Sequence, residues 1–222
     1  MGKRIVMLAI MIAVVSNFIT AQNIIIPDSN STYDEVSKLN ISPIKFSSNY
    51  FVLTYINFTS TSEYIKLRSS RNREFSYYSL IPLLKNHKKF NISLGLNVDW
   101  FNISSKMKVT SMLPDTSYDK NKMVLTYLNI PLELKFKFSH AINLGIGFKG
   151  GLLLYADNKY KLGNTKGKIQ LESGITKWDY GTYINIGWKF LSVFGSYNIN
   201  SLFNSTNAPD INTWSIGLAI MI

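Results

Sequence analysis

Few side chains in this chain are suited to acid–base, nucleophilic or metal chemistry. It contains no cysteine and two histidines, His87 and His140, each in a short polar link between apolar segments. Catalysis by histidine depends on its placement beside the reacting groups, and two histidines on separate links make a poor metal site. The chain has no glycine-rich loop followed by Lys-Ser or Lys-Thr. We therefore expect no enzyme, no cofactor and no metal centre.

Basic residues are the other candidates, because they occur in groups. Lysine and arginine donate charge-assisted hydrogen bonds to phosphate oxygens. Such groups are equally common in solvated loops, so the two interpretations stand side by side. The first group is Lys66, Arg68, Arg71 and Arg73, the second is Lys106, Lys108, Lys120 and Lys122, and the third is Lys159, Lys161, Lys166, Lys168 and Lys177.

The amino terminus indicates export. Lys3 and Arg4 precede an apolar run from Ile5 to Val15, and Thr20-Ala21-Gln22 follows. This order predicts a signal peptide cleaved after Ala21, since the apolar run is too short to span a membrane. Without its two signal-peptide charges the chain keeps 22 basic and 13 acidic residues, a net charge of +9. Export makes nucleic acid an unsuitable partner for this charge and leaves acidic substrates or membrane phosphates.

The rest of the chain is dominated by the alternation of apolar and polar residues. In the clearest run, 128–138, every even position is large and apolar. A strand with this pattern has one apolar and one polar face. The pattern recurs at 90–100, 142–149, 184–190 and 214–222, and more weakly at 50–58, 75–85 and 193–203. The sequence therefore predicts eight strands.

Short and long connections alternate between these strands. The short links are 86–89, 139–141 and 191–192, and the long ones lie near 60–74, 105–122, 156–177 and 204–212. Up-and-down outer-membrane barrels have short periplasmic turns and long outer loops. An even number of strands then puts both termini in the periplasm.

The composition of the two faces separates a membrane barrel from a soluble one. The residues predicted to face the interior are rich in Gly, Asn, Ser, Lys and Glu, and those on the opposite face are Leu, Ile, Phe and Trp. A soluble β-sandwich or lipocalin-like barrel has the reverse arrangement. We therefore predict an all-β fold, a transmembrane up-and-down antiparallel β-barrel of eight strands over 47–222. The signal peptide is 1–21, and 22–46 is a periplasmic lead-in segment.

In the hairpin 128–149, four charged residues fall on the predicted inner face: Glu133, Lys135, Lys137 and Lys149. A barrel of about eight strands is filled by its own side chains, so these charges must satisfy one another. We expect a polar lumen network in which Glu133 contacts Lys149 or Lys135, and no ion-conducting pore.

The tight turn at 139–141 fixes the predicted register of this hairpin. If Phe138 pairs with Ile142, Glu133 lies opposite Gly147, and the long side chain has room across the barrel. The side chains that must then face lipid are Ile130, Leu132 and Leu134.

Four short motifs resemble the PorT-like outer-membrane β-barrel family of Bacteroidota. They are Ala21-Gln22 at the end of the signal, Tyr127-Leu128-Asn129-Ile130-Pro131-Leu132, Leu144-Gly145-Ile146-Gly147 and Ser215-Ile216-Gly217-Leu218. The resemblance covers 47–222 and implies an outer-membrane barrel. Most members of that family have no assigned role, and a minority are associated with the secretion system that exports surface proteases and gliding adhesins.

Three functional hypotheses follow. The first is a non-enzymatic outer-membrane barrel acting as a structural, adhesive or interaction protein through long outer loops, with membrane lipids and lipopolysaccharide as partners. Lys66, Arg68, Arg71 and Arg73 would contact the lipopolysaccharide phosphates. The alternative is an accessory component of a secretion machine, engaging periplasmic or secretion-system proteins through 23–46 and 86–89. The third is a lipid-modifying barrel enzyme, which two histidines in periplasmic turns disfavour.

The mature chain is expected to fractionate with the outer membrane and to change its migration on a detergent gel after heating. The reason is that an outward apolar face cannot remain in water. Fractionation of cell envelopes followed by gel electrophoresis checks both properties. Recovery as a soluble periplasmic protein would contradict the barrel prediction.

Overall fold

The described part of the chain is built from antiparallel strands. The computed structural model describes residues 48–58, 72–84, 89–105, 119–138, 142–171, 174–204 and 211–222. The strands are β1 (Ser48–Phe58), β2 (Arg73–Pro82), β3 (Phe90–Ser105), β4 (Lys120–Lys137), β5 (Ile142–Leu162), β6 (Thr165–Gln170), β7 (Trp178–Trp188), β8 (Leu191–Asn198) and β9 (Thr213–Met221). Among these residues there is no helix long and apolar enough to cross a membrane.

Eight of the nine described strands close into a ring. The order is β4-β3-β2-β1-β9-β8-β7-β5, and β4 also pairs with β5. β6 lies outside the ring and forms a hairpin with the last part of β5. This confirms the predicted eight-stranded antiparallel barrel and adds one strand to it. We call the end with the β5–β6 hairpin the upper end and the end with Met221 the lower end.

The predicted register of the β4–β5 hairpin is confirmed. Glu133 lies opposite Gly147, and the Phe138 amide donates to the Ile142 carbonyl at 3.1 Å. Ile130, Leu132 and Leu134 stay on the outside of the barrel, 58%, 44% and 39% exposed. The assignment of the outward apolar face in this hairpin is therefore confirmed.

The polarity of the inner face changes along the strands. On β4 the inward residues are Asn129 and Glu133 in the lower part but Met123 and Leu125 in the upper part, where Lys122 faces out. Apolar side chains face lipid where lipid is outside, and they face inward where water is outside. The sequence predicted a polar interior throughout, whereas the upper interior is apolar and the lower interior combines polar residues with a second apolar cluster that includes Tyr50, Leu80 and Phe194.

The same change occurs on β3 and on β1. Inward positions of β3 pass from Asp99 to Phe101 and Ile103, and those of β1 pass from Thr54 to Ile56. The upper interior is an apolar core made of Ile56, Phe58, Phe101, Ile103, Met123, Leu125, Tyr127, Ala156, Leu171, Ile175, Leu202 and Ile211. The upper end is thus packed like a water-soluble barrel.

Three predicted loops are partly strand, the first because β2 begins at Arg73. β4 already begins at Lys120, and the region 156–177 contains the end of β5 and all of β6. β4 has 18 residues and β5 has 21, whereas a membrane-spanning strand needs about 9–11. The sequence pattern was misleading because alternation reverses its sense above the membrane. A shift of register between Thr126 and Tyr127 marks the level of this reversal.

An arginine in place of Leu132 is expected to lower the free energy of unfolding by about 2–4 kcal/mol, the cost of a cation at the lipid-facing midplane. Phe138→Arg at the lower rim should cost only about 0–1 kcal/mol. Urea titration of the protein in lipid vesicles measures both. Equal losses at the two positions would contradict the depth assigned to them.

Candidate functional site

Four charged side chains meet inside the barrel. Lys149 Nζ lies 2.5 Å from Asp99, 3.5 Å from Asp179 and 3.9 Å from Glu74, measured to carboxylate oxygens. All four are buried, and they come from β5, β3, β7 and β2. One ammonium therefore faces three carboxyl groups, and its contacts cross the lumen.

Neutral donors bind two of the three carboxylates, Glu74 and Asp99. Thr54 Oγ1 donates to Glu74 at 2.9 Å. The amide nitrogens of Asn97 and Asn129 donate to Asp99 at 2.7 and 2.8 Å. Buried carboxylates require such partners, because an ionised group without them is costly to desolvate.

The predicted lumen residues are placed at different levels. Glu133 and Lys149 are fully buried, Lys135 is nearly so, and Lys137 is exposed at the lower end of β4. Glu133 does not pair with Lys149. It accepts a hydrogen bond from Tyr50 Oη at 2.8 Å.

Of the two contacts predicted for Glu133, the one with Lys149 does not form, because three other carboxylates lie at the level of the lysine. The contact with Lys135 stays a prediction. Asp99 was recognisable as an inward position of the run 90–100. Glu74 lies in the predicted loop 60–74, and Asp179 lies between the predicted loop 156–177 and the predicted strand 184–190, so their inward direction could not be assigned.

An aromatic layer lies beneath the ion cluster. Tyr50 stacks on Tyr78 with 4.7 Å between ring centroids, and Phe194 lies 5.7 Å from Tyr78 and 5.5 Å from Tyr183. Gly147 leaves room for this layer, since a Cβ there would fall 2.2 Å from the Tyr183 ring. The absence of an ion-conducting pore stays a prediction, and this packing is consistent with it.

On the outer surface of the upper end, six lysines form two rows on one face of β4, β5 and β6. We call these residues the lysine array. One row is Lys120, Lys161 and Lys166, and the other is Lys122, Lys159 and Lys168. Within each row, lysines on neighbouring strands are directly opposite each other. An open cavity of about 850 Å³ lies at the array and is also lined by Asp119, Tyr160 and Gly167.

One lysine of the array is anchored by an ion pair. Lys168 Nζ lies 2.7 Å from Asp157 and 2.6 Å from Tyr155 Oη, and the tyrosine hydroxyl itself donates to Asp157. The hydrogen bonds that Lys168 donates to Asp157 and Tyr155 raise the pKa of Lys168. Within the described residues, no carboxylate lies within 4 Å of the other five lysines.

The lysines of the array repel one another. Partial burial, followed by the charges of Lys159 and Lys120, lowers the pKa of Lys122. An anion bound at this face would relieve the repulsion between the ammonium groups. The array is thus chemically suited to phosphate, sulfate or carboxylate groups.

The basic groups seen in the sequence are only partly brought together. Arg73 begins β2 and is exposed, while Lys66, Arg68 and Arg71 lie outside the described residues. The array combines Lys120 and Lys122 of the second group with Lys159, Lys161, Lys166 and Lys168 of the third. Both histidines also lie outside the described residues, within which no cluster of three potential metal ligands occurs.

The closed ring and its outward apolar face define an outer-membrane β-barrel. The chain belongs to the outer membrane protein beta-barrel domain family, whose profile matches residues 38–207. The narrower PorT-like assignment stays a prediction. No curated protein matches the chain.

Solved structures of one bacterial protein are similar to this chain. The attachment invasion locus protein Ail of Yersinia pestis is 13% identical, with a TM-score of 0.41 over 79% of this chain and 97% of that one. Its complex with the heparin analogue sucrose octasulfate gives 10% identity and a TM-score of 0.39 over the same shares. Its backbone structure in a phospholipid bilayer nanodisc gives 13% and 0.36, over 79% and 99%.

Replacement of Lys149 by methionine is expected to lower the free energy of unfolding by about 3–5 kcal/mol, because it leaves buried carboxylates without their cation. Adding Asp99→Asn should recover part of this loss. Lys137→Met, at an exposed position, should change stability by less than about 0.5 kcal/mol. Chemical denaturation in vesicles measures all three, and equal effects at positions 149 and 137 would contradict the structural role of the ion cluster.

Proposed function

We propose that this protein is a non-enzymatic outer-membrane interaction protein, structural or adhesive, that acts through its upper end. Its immediate partner is the lipopolysaccharide around it. The observation that carries the proposal is the extension of β3, β4 and β5, with β6, beyond the apolar band. This extension has its own apolar core and presents the lysine array.

The upper end is assigned to the cell exterior. At the lower end the described turn between β7 and β8 consists of Lys189 and Phe190. The connection from β3 to β4 at the upper end is 14 residues long by numbering, 106–119. Short turns in such barrels are periplasmic and long connections are extracellular. The termini of the mature barrel, after a signal peptide 1–21 and a lead-in segment 22–46, then lie on the periplasmic side.

The array stands above the outer rim of the apolar band. Trp178 and Tyr180 stack on the outside of the barrel, and Leu152 lies opposite Trp178. Tryptophan and tyrosine collect at membrane interfaces. Lys159 follows Leu152 by seven residues, which at about 3.3 Å per residue and a tilt of about 40° places it roughly 15–20 Å above that level. This is the region of the phosphorylated sugars of lipopolysaccharide.

The array also lies on the outward face of the barrel. Lys122 shares the outward face of β4 with Leu128 and Ile130, so the array continues the lipid-facing surface upward. A charged face in this position lies against neighbouring lipopolysaccharide molecules. Arg73, with Lys66, Arg68 and Arg71 before it in the chain, would add positive charge to the same end.

The purified protein is expected to bind immobilised lipopolysaccharide, and binding should weaken between about 50 and 300 mM salt as ionic screening increases. Surface plasmon resonance with the protein in neutral detergent measures this, with a neutral phospholipid surface as control. Changing Lys66, Arg68, Arg71 and Arg73 to glutamine should weaken binding and flatten its dependence on salt. Failure of the wild-type protein to bind at any salt concentration would overturn the proposed function.

A further inference from the structure

We propose that the lysine array is a site for clustered phosphates. Its ligand carries at least two phosphates a few ångströms apart on a sugar headgroup of the surrounding lipopolysaccharide, and the lysines of neighbouring strands share them. This inference rests on the proposed function, because it takes the upper end to face that leaflet. It adds a described face of the sheet to the first basic group as an anion-binding surface.

The direct pairing of lysines across the strands favours a bound anion. Four pairs of lysines lie directly opposite each other, Lys120 with Lys161, Lys161 with Lys166, Lys122 with Lys159 and Lys159 with Lys168. Like charges directly opposite in a sheet are destabilising. A face that is only solvated would be more stable with alternating charges than with six lysines in register. A bound polyanion turns the same arrangement into a favourable one.

The spacing of the array favours several phosphates over one. Neighbouring strands are about 4.8 Å apart, and every second residue along a strand is about 6.7 Å further on. A phosphate above four such lysines has an ammonium within reach of each exposed oxygen. A single phosphate therefore leaves part of a two-by-three array unmatched. Two or three phosphates at similar spacing match all of it.

The array is held by a rigid hairpin. β5 and β6 are joined by Gly163 and Asn164, and Gly163 has a φ of 56°, which suits glycine at the first position of such a turn. On the opposite face Tyr160 lies over Gly167, where a Cβ would fall 2.2 Å from the ring. The ion pair of Lys168 with Asp157 holds the same two strands together. A pre-formed site loses less entropy when it binds its ligand.

The test compares two variants that lose the same number of charges. K120Q/K161Q/K166Q removes one row of the array and spares the Lys168 ion pair. K89Q/K137Q/K189Q removes three lysines at the lower end. Both should keep the heat-dependent gel migration of the wild type. Binding to lipopolysaccharide should fall at least tenfold in the first variant and less than twofold in the second.

The ligand is varied in the same assay. Lipopolysaccharide dephosphorylated with hydrofluoric acid should bind the wild type at least tenfold more weakly than the untreated form. Tripolyphosphate should compete at a concentration at least tenfold below that of orthophosphate. Equal competition by these two anions would overturn the requirement for clustered phosphates.

The remaining outcomes separate this inference from the proposed function. If the two variants bind lipopolysaccharide alike, the array is not the site, while lipopolysaccharide binding by the protein stands. If the wild type binds no lipopolysaccharide but binds tripolyphosphate or an acidic peptide through the array, the membrane source of the ligand is refuted together with the proposed function.

Discussion

The constraint on which this structure depends is that no backbone amide or carbonyl within a membrane has water to pair with. Each strand in the lipid must therefore pair on both sides, and the pairing of β4 with β5 closes the ring that makes this possible. Ring closure leaves β6 no place among the spanning strands. It can pair only with the part of β5 that rises above the β7 contact, and this is where the lysine array forms.

The same strands pass through lipid and water, and the direction of their apolar side chains changes between the two. In the lower part, lipid favours apolar residues on the outer face, and the narrow lumen holds the aromatic layer and the polar residues. There Lys149 joins carboxylates from three other strands. Above the register shift at Thr126 and Tyr127, water lies outside, and the apolar residues turn in. One continuous strand such as β4 is thus a membrane strand at one end and a soluble strand at the other.

Sequence reasoning predicted the lower part of the barrel well because its signal is strong. Alternation over 128–138 and a three-residue turn were enough to give the register and the outward set. The upper part was missed because its alternation has the opposite sense and runs through positions such as Lys120 and Lys159, which suggest a loop. The array could not be predicted from the sequence, because each of its rows joins residues of three strands. The partners of Lys149 were missed for the same reason, since only the closed ring brings them to one level.

That dependence on closure bears on the order in which the barrel folds. Lys149 on β5 reaches Glu74 on β2, a strand with which β5 makes no ladder. No single hairpin therefore holds the whole ion cluster, and it requires a sheet that runs from β2 to β7 and has curled across the lumen. Interactions absent from the folding transition state act mainly on the rate of unfolding. An ion cluster that forms late in assembly is expected to act mainly by slowing the unfolding of the completed barrel.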